Sequence, residues 1–296
     1  MPGNATPSYC AELVRRLDYD RFLCALFAPA SRREPLFAVS AFNAELARIR
    51  EHVTEPMLRQ IRLQWWRDRV ADIYAGAEPA ARGGEVLAAL SDAIRSHALS
   101  REPIERLMDA REFDLSDAIP EDLESLVRHA EASAGNLALL ALEILVPPEL
   151  PDRAATDEGG EEARQAARHV GVAWGLLGLL RSVPFHARAA RVFLPKILLE
   201  REGARVTDVI EGRRSPGLAA VAGEVAAAAS ARLEDARALR GIVPDWARPA
   251  LLPGILADAY LRRLRRAGYD VFDSGLVPSR PARQLRLLAA ALTRRY

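Results

Sequence analysis

Residues 174–195 read WGLLGLLRSVPFHARAARVFLP. The first half sets Leu176, Leu177, Leu179 and Leu180 among glycines, which suits a helix buried in a helical core. The second half is polar and basic, with Arg181, His186, Arg188 and Arg191. The stretch predicts a helix that runs into a polar loop and returns at Val192-Phe193-Leu194-Pro195. Gly171, Gly175 and Gly178 share one face of that helix. With no side chain there, a neighbouring helix can come close.

The flanking chain has the same helical character. Ala, Leu, Arg and Glu dominate, and all four are strong helix formers. Strand-like alternation is nearly absent, and Pro and Gly cluster between the periodic segments. Helices are expected over residues 8–27, 32–53, 55–75, 84–98, 103–116, 121–146, 161–182, 216–241, 245–267 and 282–295, with short turns at 195–200 and 207–211. In the third helix, Leu58, Ile61, Trp65, Val70 and Ile73 fall near the helical period and mark its expected buried face. Residues 147–160 form an acidic Pro/Gly-rich segment. The helical pattern resumes unchanged beyond it, so it reads as a surface loop within one domain spanning 1–296. The expected fold class is all-α.

The 296 residues are 50% hydrophobic, enough for a substantial core. Basic and acidic residues number 41 and 40, so overall charge gives no case for a nucleic-acid partner. Cys10 and Cys24 are the only cysteines and read as reduced thiols of a cytosolic protein. The start, MPGNATPSYC, lacks the basic and apolar regions of a targeting segment. No uninterrupted apolar run is long enough to span a bilayer. The expected location is the cytoplasm, with a peripheral place at an inner membrane left open.

His52, His97, His129, His169 and His186 are scattered, without HExxH or CxxC spacing, so no metal site is expected from them. Glu112, Asp114 and Asp117 form an acidic cluster in REFDLSD. Asp114 shares a helix face with both Arg111 and Asp117. Such carboxylates either meet a divalent cation on a cavity wall or pair with arginines at an exposed helix end. In residues 64–68, QWWRD, Trp65 is expected to face the core. Residues 259–272, AYLRRLRRAGYDVF, form a basic amphipathic helix. Arg262, Arg263, Arg265 and Arg266 there present either a solvated face or a contact for anionic lipid.

Taken in order, FAVSAFNAELARIREHV, IRLQWWRDRVADIY, REFDL, WGLLGLLRSVPFHARAARVFLP and DAYLRRLRRAGYDVF resemble the squalene/phytoene synthase family over nearly the whole chain. The resemblance implies a single isoprenoid-synthase-type helical bundle around a central cavity. Catalytic members condense two prenyl diphosphates, and two facing aspartate-rich helices hold Mg²⁺ for the departing diphosphate. Ionising a diphosphate needs cations, and hard cations need carboxylates.

Aligned by its flanks, the first aspartate motif, usually DDxxD, falls on Ala47-Arg48-Ile49-Arg50-Glu51, where only Glu51 is acidic. The second, usually DxxxD after a Leu-Arg pair, falls on Ser182-Val183-Pro184-Phe185-His186 after Leu180-Arg181. Ala47, Arg48, Glu51, Ser182 and His186 thus stand at degenerate motif positions. Arginine in such a motif repels the cation it would hold, and Pro184 is expected to end the helix early. Where catalysts carry a functional Tyr and an AGT-like turn, this chain has His129, Glu131 and Ala134-Gly135-Asn136. The resemblance therefore implies no catalytic residue, no metal and no cofactor. The ligand-binding candidates are Asn43, Glu45, Arg48, Asp114, Asp117 and Arg181.

Residues 9–56 and the run RSVPFHARAARVFLP are similar to a narrower branch of the family. That branch is associated with early assembly of mitochondrial complex I and also lacks the aspartate clusters. This likeness implies a bacterial relative acting as an assembly or interaction factor. It would have a protein partner in respiratory complex assembly and a cavity kept for an isoprenoid or other lipid ligand. A second function stays open: a divergent prenyltransferase acting on farnesyl or geranylgeranyl diphosphate with Mg²⁺. It would draw its acids from Glu45, Glu51, Asp114 and Asp117, and would hold phosphate on Arg48, Arg50 and Arg181.

Overall fold

Polar caps divide the chain into helices at points that apolar periodicity does not mark. The Ser8 hydroxyl accepts the Ala11 N–H and starts α1, Tyr9–Leu17. Asp18 then leaves helical geometry at φ −140°. Its own N–H donates to the Val14 carbonyl, and its side chain accepts the Arg21 N–H to start α2, Tyr19–Ala25. The single helix expected over 8–27 is therefore two, because Asp18 caps a new start.

The computed structural model describes residues 7–53, 55–77, 84–150, 159–293 and 296. Among these the fold is all-α, with no strand. After α2 come α3 (Ala30–Ala47), α4 (Ile49–His52), α5 (Pro56–Tyr74), α6 (Gly84–His97), α7 (Arg101–Leu115) and α8 (Leu123–Ala130). Arg48, at φ −96° and ψ 0°, separates α3 from α4 and so splits the helix expected over 32–53. Asp122 and Ser125 form a capping box at the start of α8. Beyond α8 the backbone widens into a π turn, Glu131–Gly135, before α9, Asn136–Leu145. In that turn the Asn136 amide donates to the Ala132 carbonyl, and the Ser133 hydroxyl to the His129 carbonyl. Residues 151–158 of the expected surface loop lie outside the described residues.

The second half comprises α10 (Gly160–Arg181), α11 (Val183–Arg188), α12 (Lys196–Arg201), α13 (Val206–Ile210) and α14 (Pro216–Ala238). A 3₁₀ turn, Asp245–Ala247, leads to α15 (Arg248–Leu251), α16 (Pro253–Arg266) and α17 (Arg280–Thr293). The polar loop expected after Arg181 is largely helical. Pro184 sits in the first turn of α11, where its missing N–H has no partner to lose.

Helix α10 is the axis of the bundle and packs against α9, α14, α16 and the π turn. The glycine row explains one of these contacts. A Cβ on Gly171 would lie 2.7 Å from the Ala134 carbonyl and 2.8 Å from the Gly135 Cα. On Gly175 it would lie 3.0 Å from the Ala134 Cβ. The π turn and α10 thus touch almost backbone to backbone. Gly178 differs: the nearest neighbour of an added Cβ is the Arg181 guanidinium at 3.8 Å.

The buried face of α5 corrects the sequence expectation. Leu63, Trp66, Val70 and Ile73 are buried, whereas Leu58 and Ile61 are exposed and Trp65 is half-buried. This helix carries two apolar stripes, and packing against α6 and α7 selects the second.

Gly171→Ala is expected to lose about 1–3 kcal/mol through overpacking against fixed backbone. Gly178→Ala should be neutral or gain up to about 1 kcal/mol from helix propensity. Urea unfolding followed by circular dichroism compares the two directly.

Candidate functional site

A cavity of about 450 Å³ opens between the end of α1, the α3–α4 break, α7, the π turn, and α10 with α11. It gathers Asn43, Ala47, Arg48, Glu51, Asp114, Arg181, Ser182 and His186 on one wall system. Both degenerate motif segments therefore face the same space. Of the other ligand candidates, Glu45 and Asp117 are not among its lining residues; Asp117 is exposed and pairs with Arg50.

The lining includes six arginines, at 21, 48, 50, 111, 181 and 191, against three acids, Asp18, Glu51 and Asp114. The protein's own groups engage each of these charges. Arg21 pairs with Asp18 at 3.1 Å and Arg48 with Glu51 at 3.3 Å. Arg111 donates to Asp114 at 2.5 Å and to the Asn43 amide oxygen at 2.6 Å. Arg50 and Arg191 both donate to backbone carbonyls at the end of α7: Arg50 to Leu115 and Ser116, Arg191 to Asp114 and Ser116. Cations belong there, because the last carbonyls of a helix have no helical partner.

Arg181 is held most completely. Its guanidinium lies 4.0 Å from the Tyr260 ring and 4.5 Å from the Trp174 ring, and it donates to Asp20 at 3.3 Å. Asp20, only 6% exposed, also accepts from the Tyr260 hydroxyl at 2.7 Å and from Arg283 at 2.7 Å. One carboxylate thus joins α2, α10, α16 and α17. Sequence reading passed over Asp20, which sits in an ordinary amphipathic stretch. Its partners lie 161, 240 and 263 residues away, and no local spacing reveals them.

Where the second aspartate motif would stand, a ring cluster fills the wall. The His186 ring lies 4.7 Å from Phe193, and His129, Phe113 and Phe193 contact one another in a triangle. Burial pushes the His186 imidazole down to about 4, with the Arg191 charge acting in the same sense. Burial also lowers His129, against the attraction of Asp114 at 3.3 Å. Arg191 is itself pushed down to about 10 by burial and by the neighbouring Arg50. Near neutral pH both imidazoles are uncharged ring surfaces.

Magnesium demands near-octahedral oxygen ligands and, besides waters and substrate phosphates, needs at least one or two free carboxylates. Every acid on this wall is already bound by an arginine, and the motif positions supply Arg48, Ser182 and His186. Among the described residues, no group of three or more His, Cys, Asp or Glu could hold a metal ion. The residues present do not fit a magnesium–diphosphate centre.

The squalene/phytoene synthase family model matches residues 14–284. The chain is 32% identical to the Bos taurus protein named NADH dehydrogenase (ubiquinone) complex I, assembly factor 6, covering 99% of this chain and 84% of that one. It is likewise 32% identical to the Homo sapiens protein of the same name, over 92% of this chain and 77% of that one. Among solved structures, a dehydrosqualene synthase in complex with ligand superposes with a TM-score of 0.79 at 20% identity, covering 97% and 95% of the two chains. That last likeness speaks for the fold.

Asp20→Ala leaves two guanidinium groups and a phenol without their shared acceptor. A loss of about 3–5 kcal/mol is expected in urea unfolding, against at most about 1 kcal/mol for Arg48→Ala, whose pair is solvent-screened. A pH series tests the His186 environment. The unfolded chain takes up a proton near the ordinary imidazole value of 6.5, but the folded one only near 4. Between those values the unfolded state binds more protons, so stability falls as pH drops through the window and is level above it. His186→Gln should flatten that fall in the urea midpoint.

Proposed function

Because the chain belongs to the squalene/phytoene synthase family, we propose that it uses the family's bundle as an assembly or interaction factor for respiratory complex I. On this reading it is not a prenyltransferase. The observation that carries the proposal is the state of the cavity wall. Every acid that could serve a metal is neutralised by an arginine of the same chain, and the arginines are in turn spent on protein oxygens. Catalysis of diphosphate departure needs cations aimed at developing charge, and here they are aimed elsewhere.

The relatives named as complex I assembly factors support the same function. The partner is then a component of complex I, met at or near the membrane that holds it, and no cofactor takes part. The 450 Å³ cavity is of a size that small-molecule sites occupy. It is left for an apolar or isoprenoid ligand, with Phe185, Phe193 and Leu179 offering apolar wall. Among the described residues no helix is long and apolar enough to cross a membrane.

Deleting the gene in its host and separating membrane complexes on native gels tests the function. The expected result is a clear drop in assembled NADH dehydrogenase with unchanged squalene and carotenoid content. Wild-type complex I with lost isoprenoid product would overturn the proposal, as would pyrophosphate release by the purified protein from farnesyl or geranylgeranyl diphosphate with Mg²⁺.

A further inference from the structure

Helix α17 presents an apolar stripe that no other described residue covers. Leu285, Leu288 and Leu292 are 66%, 49% and 78% exposed. Their spacing of three and four residues places them on one face. Taking about 100° per residue, that face lies roughly opposite Leu287 and Ala290, the buried side of the helix. Arg283, on the buried side, is anchored to Asp20. The rotation of α17 is therefore fixed, and the leucines point outward because of it.

Charge narrows what such a stripe can meet. The chain as a whole balances 41 basic against 40 acidic residues. From Ser274 to Tyr296 there are five arginines and no Asp or Glu. Arg280 and Arg286 are exposed; they lie on opposite sides of the helix, each about 110–130° round from the leucines, with the Arg280 guanidinium over the Tyr19 ring at 4.8 Å. A second copy of the chain, laid stripe to stripe, would bring arginines together with no acid on α17 to offset them. An anionic bilayer surface suits both features. The leucines enter the boundary between headgroups and acyl chains, and the flanking arginines reach lipid phosphates while their stems stay in apolar surroundings.

The basic run on α16 is less suited to this contact. Arg262, Arg265 and Arg266 are exposed, but Tyr260, Leu261 and Leu264 beside them are buried in the bundle. That helix offers charge without a free apolar face.

We propose that α17 is a membrane-surface helix, docking the protein on anionic phospholipid through Leu285, Leu288 and Leu292 with Arg280 and Arg286 at its flanks. This surface lies apart from the cavity wall and holds whether or not the assembly function does.

Cys10 and Cys24 are buried, so a cysteine placed on the surface can be labelled selectively. The full chain carrying Leu288→Cys with a polarity-sensitive fluorophore is mixed with phosphatidylcholine vesicles, with and without phosphatidylglycerol. Leu58→Cys on α5, another exposed position, serves as the control. The expected result is a blue shift at position 288 alone, and only with phosphatidylglycerol. In flotation, the triple variant Leu285→Ser/Leu288→Ser/Leu292→Ser should bind at least about tenfold more weakly than wild type. Its circular dichroism should be unchanged, since the replaced side chains are exposed. No flotation of wild type with anionic vesicles would overturn the proposal. So would flotation that the triple variant keeps, or a wild-type dimer that the triple variant breaks without any vesicle binding.

Discussion

The buried carboxylate of Asp20 is the interaction on which the rest of the bundle depends. A charge withdrawn from water is costly unless paired and hydrogen-bonded. Asp20 meets that demand with Arg181, Arg283 and Tyr260, and so ties α2 to three helices from the far half of the chain. Two consequences follow from one contact. Arg181 is held on the cavity wall, stacked against Trp174 and Tyr260. Arg283 fixes the rotation of α17, which decides which leucines face solvent.

The same principle governs the cavity as a whole. Its arginines are numerous, yet each has an acceptor within the protein: a carboxylate for Arg21, Arg48, Arg111 and Arg181, and helix-end carbonyls for Arg50 and Arg191. Around His186 the wall is aromatic, with both imidazoles uncharged near neutral pH and Arg191 stacked on Phe193 beside them. The space is thus shaped like a substrate cavity while its electrostatics close on themselves. A bundle in that state keeps its packing and its surfaces, which is what an interaction factor needs.

The all-α class and the family were legible in the sequence, because apolar periodicity and motif order are local signals. The glycine row on α10 was legible too, since a missing side chain invites close approach wherever it falls, and the contact with the π turn at Ala134-Gly135 uses it. The helix breaks at Asp18 and Arg48 were not, because one residue leaving helical geometry does not disturb the period around it. On α5 the period marks Val70 and Ile73 correctly but, for a different reason, also points to Leu58 and Ile61, which are exposed. Two apolar stripes compete on that helix, and only its neighbours choose between them. At the site, the motif positions could be placed by their flanks. What holds Arg181 could not, because Asp20 and Tyr260 reach it only in the folded chain. Glu45 and Asp117 were nominated for charge alone, and the fold sets both outside the cavity lining.

The cavity wall carries its positive charge on arginines already satisfied by the protein. Titration calorimetry of the purified chain with inorganic pyrophosphate, with and without Mg²⁺, tests it most directly. No saturable heat that depends on Mg²⁺ is expected. One-to-one binding that requires Mg²⁺ and is lost in Glu51→Gln would contradict it.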